Sequence, residues 1–520
     1  MTPDALQGWT AVVSISPPSL KNNTADTERL VQALKPITGD IPVVVDPVVQ
    51  RSLPLLLRRD ERLLRCVFFQ EPGRWTVVGL APADDPLPPT GLAVDLGTTR
   101  LVMRLVDLVS GKTLGETAVD NPQIRIGADI LTRIHHADTP GGLAQLHRLI
   151  VDTISREAED LCARLGRTAR QIQLAAVAGN TAMSHLFLNL DPHWMIREPY
   201  IPVVNCPGVM TARDLGLPFA GSARVLVFPN IGSYFGGDVV AGILFSGLYQ
   251  RDDTAILVDV GTNAEVVLGN RHWLIACAGA AGPALEGGVT RMGMMAGNGV
   301  IDRVRIDGRT GQVQVRTIGD GPPRGICGSG LIDLAAQLFL SGMLDIRGRL
   351  IPEHCGNRFV DIDGLAHLVV VPAGASATGS DLTISQADLD SLIRSKAAMY
   401  TILETIHQSV GMDMKDLSAF LVAGTFGAYI DPVSAITIGM LPDLPLTTYR
   451  SIGNSSLEGA AIALQDRDVM AALDIIRDRI TYLELNVNQD FMNRFSAAKF
   501  IPHTDFNRFP SVRMPNGGVS

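Results

Sequence analysis

The chain of 520 residues is 46% hydrophobic and 19% charged, which is enough apolar residue for roughly two to four domains with a large core. Its net charge of −9, with no basic cluster beyond RRDERLLR at 58–65, excludes an electrostatic surface for nucleic acid. No basic leader and no run of about 18 apolar residues is evident, so we predict a cytoplasmic protein without a membrane partner. The six cysteines are too far apart for an iron–sulfur pattern.

The N-terminal part of the chain is predicted to be a small α+β domain. Residues 1–26 are typical of a linker, and the domain itself spans 27–84. Its elements are a helix, TADTERLVQALKPI, capped by Thr24 or Asp26, and the strands IPVVVDP, RCVFFQ and RWTVVGLA. A second linker, rich in Pro and Asp, follows at 85–91.

The remainder alternates strand and helix patterns and predicts a duplicated α/β fold. The first half, 92–250, opens with the hairpin LAVDLG and RLVMRLVDLV, and the second half, 251–500, opens with the hairpin TAILVDVGTNAEVVLGN. Two halves that open with the same Asp-containing hairpin indicate a duplication with a cleft between the halves. Residues 501–520 are predicted to be a mobile tail.

The turns of the two hairpins carry the same kinds of residue. Backbone N–H groups in a tight glycine-containing turn, together with neighbouring hydroxyls, can hold phosphate oxygens. An aspartate at the end of the strand can hold Mg²⁺ through water. One Asp-Gly turn is common in hairpins, whereas the pair favours two phosphate-binding loops. The candidate residues are Asp95, Gly97, Thr98, Thr99 and Arg100 in the first turn and Asp259, Gly261, Thr262 and Asn263 in the second.

These turns resemble the phosphate 1 and phosphate 2 loops of the acetate and sugar kinase, heat-shock chaperone and actin superfamily. DLGTTR and DVGTNAE match the two loops, and VAGTFGAYIDP at 422–432 matches a glycine-rich adenosine turn with Gly424, Thr425 and Gly427. The resemblance implies an actin-like ATPase fold of two RNase H-like halves around a nucleotide cleft. It also implies ATP and Mg²⁺ as ligands, with Asp95 and Asp259 as metal-binding and catalytic carboxylates.

A helix before the second hairpin should carry a polar residue that faces the γ-phosphate in this superfamily. The segment GGDVVAGILF places Asp238 at a helix start behind two glycines. Its carboxylate is a candidate base that accepts a proton from an attacking water. The alternative is an N-terminal helix cap, and both roles can hold together.

Longer segments resemble a narrower family, the reductive activators of corrinoid proteins, from about residue 17 to 500. They are NPQIRIGADILTRI (121–134), AGNTAMSHLFLNLDP (178–192), CAGAAGPALEGGVTRMGMMAGNGVI (277–301), GICGSGLIDL (325–334) and GTFGAYIDPVSAITIGMLPD (424–443). The resemblance implies an ATPase that helps return cob(II)alamin to cob(I)alamin on a corrinoid protein of a methyltransferase system. It also implies nucleotide contacts for Gly328, Ser329 and Gly330, and it is compatible with a homodimer.

One departure from the family concerns the source of electrons. Members commonly begin with a plant-type 2Fe–2S ferredoxin domain, whereas this chain opens where that domain would end and has no cysteine cluster in its place. The resemblance therefore implies either a separate ferredoxin-like donor or a trimmed chain.

Some alternatives stay open at this point. A small-molecule kinase of the same fold would need a substrate pocket with its own base, and a chaperone-like protein would respond to unfolded peptide; the long motifs favour the activator over both. The segment GGVTRMGMMAGNG at 287–299 is either an adaptable partner surface or a packed loop. Cys327 fits a small packed residue better than a nucleophile, and the adjacent His135 and His136 would not face one metal ion.

Overall fold

The structure is a computed structural model that describes residues 8–16, 18–58, 63–261, 263–279, 290–424, 430–483, 485 and 490–514. Its internal contacts divide the chain into two compact units. The first comprises Met1–Phe245 and Ser455–Arg479, and the second comprises Ser246–Asn454 and Ile480–Ser520. Within the described ranges, no helix is both long and apolar enough to cross a membrane.

The first unit begins with a small α+β layer, whose sheet has the strand order β1-β3-β4-β2. Its elements are β1 (Thr10–Ser14), α1 (Asp26–Thr38), β2 (Val43–Val45), α2 (Pro47–Leu57), β3 (Leu63–Glu71) and β4 (Arg74–Pro82). Strand β1 lies inside the stretch that was predicted to be a linker, because its short apolar run pairs with the longer β3. The predicted caps of α1 are wrong: Ala25 precedes the helix and offers no side-chain hydrogen bond.

The rest of the first unit is built on a six-stranded sheet with the order β7-β6-β5-β8-β10-β9. Its strands are β5 (Thr90–Leu96), β6 (Arg100–Asp107), β7 (Thr113–Asp120), β8 (Ile172–Gly179), β9 (Val209–Thr211) and β10 (Arg224–Val227). The helices of this part are α3 (Ile130–Ala137), α4 (Gly142–Arg164), α5 (Thr181–Phe187) and α6 (Gly237–Ser246). Apolar residues of the sheet and of α4 share one core.

The second unit contains another six-stranded sheet, with the order β21-β20-β11-β12-β13-β22, and two three-stranded sheets. Its strands are β11 (Ala255–Val260), β12 (Ala264–Gly269), β13 (Leu274–Gly279), β14 (Val300–Ile306), β15 (Val313–Thr317), β16 (Gly325–Ile326), β17 (Phe359–Ile362), β18 (Leu365–Val371), β19 (Leu382–Ser385), β20 (Ala419–Ala423), β21 (Tyr449–Gly453) and β22 (Ile480–Tyr482). Its first helices are α7 (Gly328–Leu340), α8 (Pro352–Cys355), α9 (Gln386–Ser409) and α10 (Pro432–Thr437).

The two six-stranded sheets share one topology. In the order β7-β6-β5-β8-β10, an antiparallel meander continues into parallel strands at β5, and the order β13-β12-β11-β20-β21 repeats this scheme. The hairpins β5–β6 and β11–β12 therefore occupy equivalent positions at the centre of each sheet. The predicted duplication is confirmed.

A late segment of the chain returns to the first unit. It forms α11 (Ser455–Ala463) and α12 (Val469–Arg479), and α11 contacts β5, β6 and β8. The second half had been predicted as one continuous stretch, 251–500, because apolar periodicity does not show which sheet a helix covers. The other predicted boundaries stay a prediction.

The C-terminal segment after α13 (Asp490–Ala498) is packed rather than mobile up to residue 512. Ile501 and Phe509 are buried, and the fully buried ammonium group of Lys396 on α9 donates hydrogen bonds to the carbonyl oxygens of Phe500 and Pro502. The predicted tail is therefore wrong for these residues, because their few apolar side chains, without a period, fill the core beside Tyr400.

Candidate functional site

The two predicted aspartates occupy equivalent places in the two sheets. Asp95 is the penultimate residue of β5 and lies opposite Ala178 of the parallel strand β8. Asp259 is the penultimate residue of β11 and lies opposite Ala423 of the parallel strand β20. Both residues are half-buried, and a three-residue turn follows each strand. Each sheet thus presents one carboxylate beside one tight turn.

The carbonyl oxygens of the first turn are all hydrogen-bonded to fixed donors of the protein. The side-chain amide of Asn121 donates to the oxygen of Gly97 at 2.9 Å, and its backbone N–H donates to the oxygen of Thr99 at 2.8 Å. The guanidinium group of Arg133 donates to the oxygen of Thr98 at 2.7 Å. The conformation of this turn is therefore set before any ligand binds, as a phosphate-binding loop requires.

Glycine at position 97 is a steric requirement of the same turn. A Cβ atom at Gly97 would lie 2.4 Å from the carbonyl oxygen of Arg100, far inside van der Waals contact. Any other residue would have to open the turn. Steric contact therefore requires glycine at position 97, which is the position predicted for a phosphate-binding glycine.

Arg133 is a buried cation behind the first turn. Besides Thr98, it donates to the oxygen of Gly127 at 2.9 Å and to the amide oxygen of Gln123 at 3.1 Å. Burial lowers its pKa to about 10, with the charge of Asp129 acting in the opposite direction, so the group remains charged at neutral pH. Its positive charge lies where it favours an anion at the turn. Arg133 lies in the segment 121–134 that resembles the family, but no local pattern in the sequence singles it out.

Asn180 and the loop before α6 lie beside the first turn. The amide of Asn180 donates to the hydroxyl of Thr98 at 2.9 Å, and its oxygen accepts from the N–H of Met183 at 2.9 Å, capping α5. A Cβ atom at Gly236 would lie 2.3 Å from Asn180 Cα and 2.8 Å from Asp238 Oδ1. Asp238 therefore lies beside Asn180, whose side chain holds the hydroxyl of Thr98, and its predicted role at the γ-phosphate stays a prediction. Sequence reasoning missed Asn180.

Asp238 is the second residue of α6 rather than the residue before it. The N–H of Gly237 donates to the amide oxygen of Asn230 at 3.1 Å, and Asp238 Oδ1 accepts from the N–H of Val239 at 2.9 Å. The N-cap position thus belongs to the residue before Gly237. An acidic side chain in the first helical turn still interacts favourably with the helix dipole.

Ser456, at the start of α11, contacts the first aspartate. Its hydroxyl donates to Asp95 Oδ1 at 2.8 Å, and the residue is 5% exposed. The two residues are 361 positions apart in the chain, so no local motif could have indicated the contact. One oxygen of Asp95 is thereby oriented by the protein itself.

The second turn is more exposed than the first. The N–H of Gly261 donates to the oxygen of Asn263 at 2.9 Å, and both residues are exposed. Gly424, whose φ is +84°, lies next to the aspartate, because a Cβ atom there would be 2.9 Å from Asp259 Oδ1. The backbone after β20 therefore passes close to the carboxylate only because residue 424 is glycine. The other predicted residues of these loops lie outside the described residues: Thr262, Thr425 and Gly427.

The last two glycines of GICGSG, Gly328 and Gly330, lie at the start of α7 against β14. A Cβ atom at Gly330 would lie 2.4 Å from the oxygen of Ile301, and the thiol of Cys327 donates to the same oxygen at 3.3 Å. Gly328, Ser329 and Gly330 are all buried. Close packing of α7 on β14 therefore explains why these residues are small. Their contacts with the nucleotide stay a prediction.

The glycine- and methionine-rich segment is described only from residue 290 onward. Met292 is 5% exposed and belongs to the core of the second unit. The N–H of Met294 donates to the oxygen of Ile326 at 3.0 Å. The burial of Met292 and the hydrogen bond of Met294 support a packed loop for residues 290–299, rather than a partner surface.

Known families match the chain along nearly its full length. Models described as "RACo linker region", "RACo middle region" and "C-terminal domain of RACo the ASKHA domain" match residues 9–85, 90–251 and 253–513. The chain belongs to the RACo family. The actin-like ATPase fold that the sequence implied is confirmed by this match.

Individual relatives agree with the family. The chain is 31% identical over 428 residues to "Corrinoid activation enzyme RamQ" of Eubacterium limosum, covering 81% of this chain and 72% of that protein. It is 23% identical over 438 residues to the "[Co(II) methylated amine-specific corrinoid protein] reductase" of Methanosarcina barkeri, covering 78% and 75%. A solved "Reductive activator for corrinoid,iron-sulfur protein" superposes with a TM-score of 0.88 at 36% identity, covering 98% of this RACo-family chain and 82% of the other. The predicted resemblance to corrinoid activators is confirmed.

The two turn aspartates give the first test of the site. We expect Asp95→Ala and Asp259→Ala each to lower the rate of ATP hydrolysis by about 10²-fold or more, because charge stabilisation at the phosphates is lost. Steady-state phosphate release measures the effect. Asp160→Ala, at an exposed position on α4, serves as the control, and circular dichroism checks folding. Wild-type turnover in both aspartate variants would refute the assignment.

Asp238 gives a second test that separates catalysis from helix stability. If Asp238 orients or deprotonates the attacking water, Asp238→Asn should lower ATP turnover by about 10²- to 10⁴-fold while nucleotide affinity changes little. If the side chain only stabilises the first turn of α6, the same change should leave ATP turnover nearly unchanged, because the lost interaction of a charge with the helix dipole costs only about 0.3–1 kcal/mol of stability. Single-turnover hydrolysis and calorimetric titration with ADP distinguish the two outcomes.

Proposed function

We propose that the chain is an ATP-dependent reductive activator of a corrinoid protein, in which ATP binding and hydrolysis favour the reduction of cob(II)alamin to cob(I)alamin. The observation that carries this proposal is the match of RACo family models to consecutive segments from residue 9 to 513. The similarity to a solved reductive activator over 98% of the chain supports it.

The nucleotide is bound by the residues of the two turns. Backbone N–H groups of residues 97–99, with the hydroxyls of Thr98 and Thr99, hold phosphate oxygens. The second turn contributes the N–H of Asn263, since the N–H of Gly261 donates to the oxygen of Asn263 within the turn. Mg²⁺ needs only one or two carboxylates and retains much of its water, so Asp95 and Asp259 fit this ion; when bound, it would supply neutralisation of phosphate charge. Asp238 accepts the proton of the attacking water.

The energetic task of the activator is to change the balance between two oxidation states of its partner. A protein that binds cob(II) and cob(I) forms equally well cannot shift the reduction equilibrium, whatever its affinity. A preference for the cob(II) form selects the oxidised partner but by itself opposes reduction, because binding stabilises the form that is bound better. The state of the nucleotide must therefore weaken or reverse this preference, so that the cob(I) form is favoured in the complex. A tenfold shift requires about 1.4 kcal/mol of differential binding, which a nucleotide-dependent rearrangement can supply.

The electrons come from a separate iron–sulfur donor of the ferredoxin type. The six cysteines of the chain support this part of the proposal, because five are buried and Cys206 alone is exposed. No three of the described His, Cys, Asp and Glu residues are grouped as a metal site. The proposal also includes a cytoplasmic location and a homodimer.

Reconstitution with a cognate corrinoid protein tests the function. We expect the chain to bind the cob(II) form in preference to the cob(I) and methylated forms. With ferredoxin or a chemical reductant, ATP should cause the cob(I) absorption band to appear, whereas the chain and ATP alone should not produce it. Calorimetry and visible spectroscopy measure the two effects.

The Asp95→Ala variant is the matched control, because it should retain the corrinoid partner and lose the ATP dependence. A cob(I) yield that is the same with and without ATP would contradict the activator. Acceleration of ATP turnover by a sugar or a carboxylic acid would instead support a small-molecule kinase.

A further inference from the structure

A pocket of about 410 Å³ in the second unit is lined mainly by cations. Its charged residues are Arg347, Arg349, Arg394, Lys499 and Asp390. The pocket thus has four positive side chains and one negative side chain, in a chain whose net charge is −9. None of these residues belongs to the two phosphate-binding turns.

The cations lie on a backbone that is fixed by hydrogen bonds. Asp345 Oδ1 accepts from the N–H groups of Arg347 and Arg349, each at 2.8 Å, which closes a tight turn. The amide of Gln386 on α9 donates to the oxygen of Gly348 at 2.8 Å and to Asp390 Oδ1 at 2.8 Å. The turn that carries the two arginines is therefore tied to the helix that forms the opposite wall.

A buried lysine fixes the third wall. Phe500 lines the pocket beside Lys499, and its carbonyl oxygen accepts a hydrogen bond from the fully buried Lys396. The next residue, Ile501, donates its N–H to the oxygen of Ile346 at 2.8 Å. Three separate segments of the chain thus hold a concave site in a defined shape.

The side chains of Arg394 and Lys499 contact uncharged groups. Among the residues that the structure describes, none of the four cations forms an ion pair. Arg394 donates to the hydroxyl of Ser391 at 2.9 Å, and Lys499 lies 4.9 Å from the ring centre of Phe495. The carboxylate of Asp345 bonds backbone N–H groups. All four cations are exposed, so solvent screens their mutual repulsion, and an anion that binds among them meets an excess of positive charge.

We propose that this pocket binds a small ligand that carries two linked phosphate groups. The net charge of the lining, four cations less one carboxylate, matches the charge of a diphosphate near neutral pH, since each phosphate contributes about −1.5 to −2. Arginine side chains suit phosphate because they donate two parallel hydrogen bonds. A concave site built from three segments suits a small ligand better than the flat surface of a protein partner. The proposal does not depend on the proposed function.

Calorimetric titration with inorganic pyrophosphate, in the absence of Mg²⁺, tests the site on the full chain. The double variant Arg347→Glu and Arg349→Glu should weaken binding by at least about tenfold, because charge-assisted hydrogen bonds are lost and the charge is reversed. Arg394→Gln, a milder change on α9, should weaken it about threefold or more. Affinity should fall as ionic strength rises.

The matched control is the double variant Arg305→Glu and Arg309→Glu. It makes the same change in net charge at exposed positions, and Arg309 lies on a similar turn, where Asp307 Oδ1 accepts its N–H at 2.9 Å. The control should bind pyrophosphate as the wild type does, within about twofold. Circular dichroism and unchanged basal ATP turnover show that the variants are folded.

Several results would overturn the proposal. One is equal affinity in the wild type, the pocket variant and Arg394→Gln. Equal weakening in the pocket variant and the control would point to the overall charge of the unit and not to this pocket. Binding of orthophosphate as tight as that of pyrophosphate would refute the two-phosphate ligand. Binding of an acidic peptide such as polyglutamate, without binding of pyrophosphate, would assign the surface to a protein partner.

Discussion

A turn that binds phosphate through its N–H groups must direct its carbonyl oxygens away from the anion, and in the first unit fixed donors hold them there. At residues 97–99 the donors are Asn121 and Arg133. Arg133 is buried, so its charge must be surrounded by acceptors, and the segment between β7 and α3 supplies them. After β7, a short connection leads into α3. Asn121 lies in this connection and Arg133 lies on α3, so both donors reach the back of the turn.

Helix α11 connects the two candidate catalytic residues of the first unit. Ser456 on this helix contacts Asp95, and Glu458 forms two hydrogen bonds with Arg104 of β6, both at 2.8 Å. On the same helix, a Cβ atom at Gly459 would lie 2.2 Å from the oxygen of Ala241, so α11 packs closely on α6, the helix of Asp238. A shift of α11 would therefore disturb the surroundings of both carboxylates, because closely packed helices do not deform without moving their neighbours.

The hairpins, most of the long helices and the duplication could be predicted from the sequence, because their information is local. Each hairpin has two apolar runs around a glycine turn. Ser385 precedes α9, and its hydroxyl accepts from the N–H of Asp388 as a helix cap does. Asn180 and Ser456 could not be predicted as site residues, since their contacts join distant parts of the chain. The small sheets β14–β19 were also missed, because short strands without a repeated pattern are decided by tertiary packing.

The central claim is that the N–H groups of the first turn bind the phosphates of ATP. Amide hydrogen exchange at Gly97, Thr98 and Thr99, with and without Mg²⁺ and a non-hydrolysable ATP analogue, tests it most directly. We expect exchange at these amides to slow by about tenfold or more when the analogue binds, while the turn at Gly111, between β6 and β7, exchanges at an unchanged rate. If calorimetry shows that the analogue is bound and exchange at the first turn is unchanged, the account is wrong.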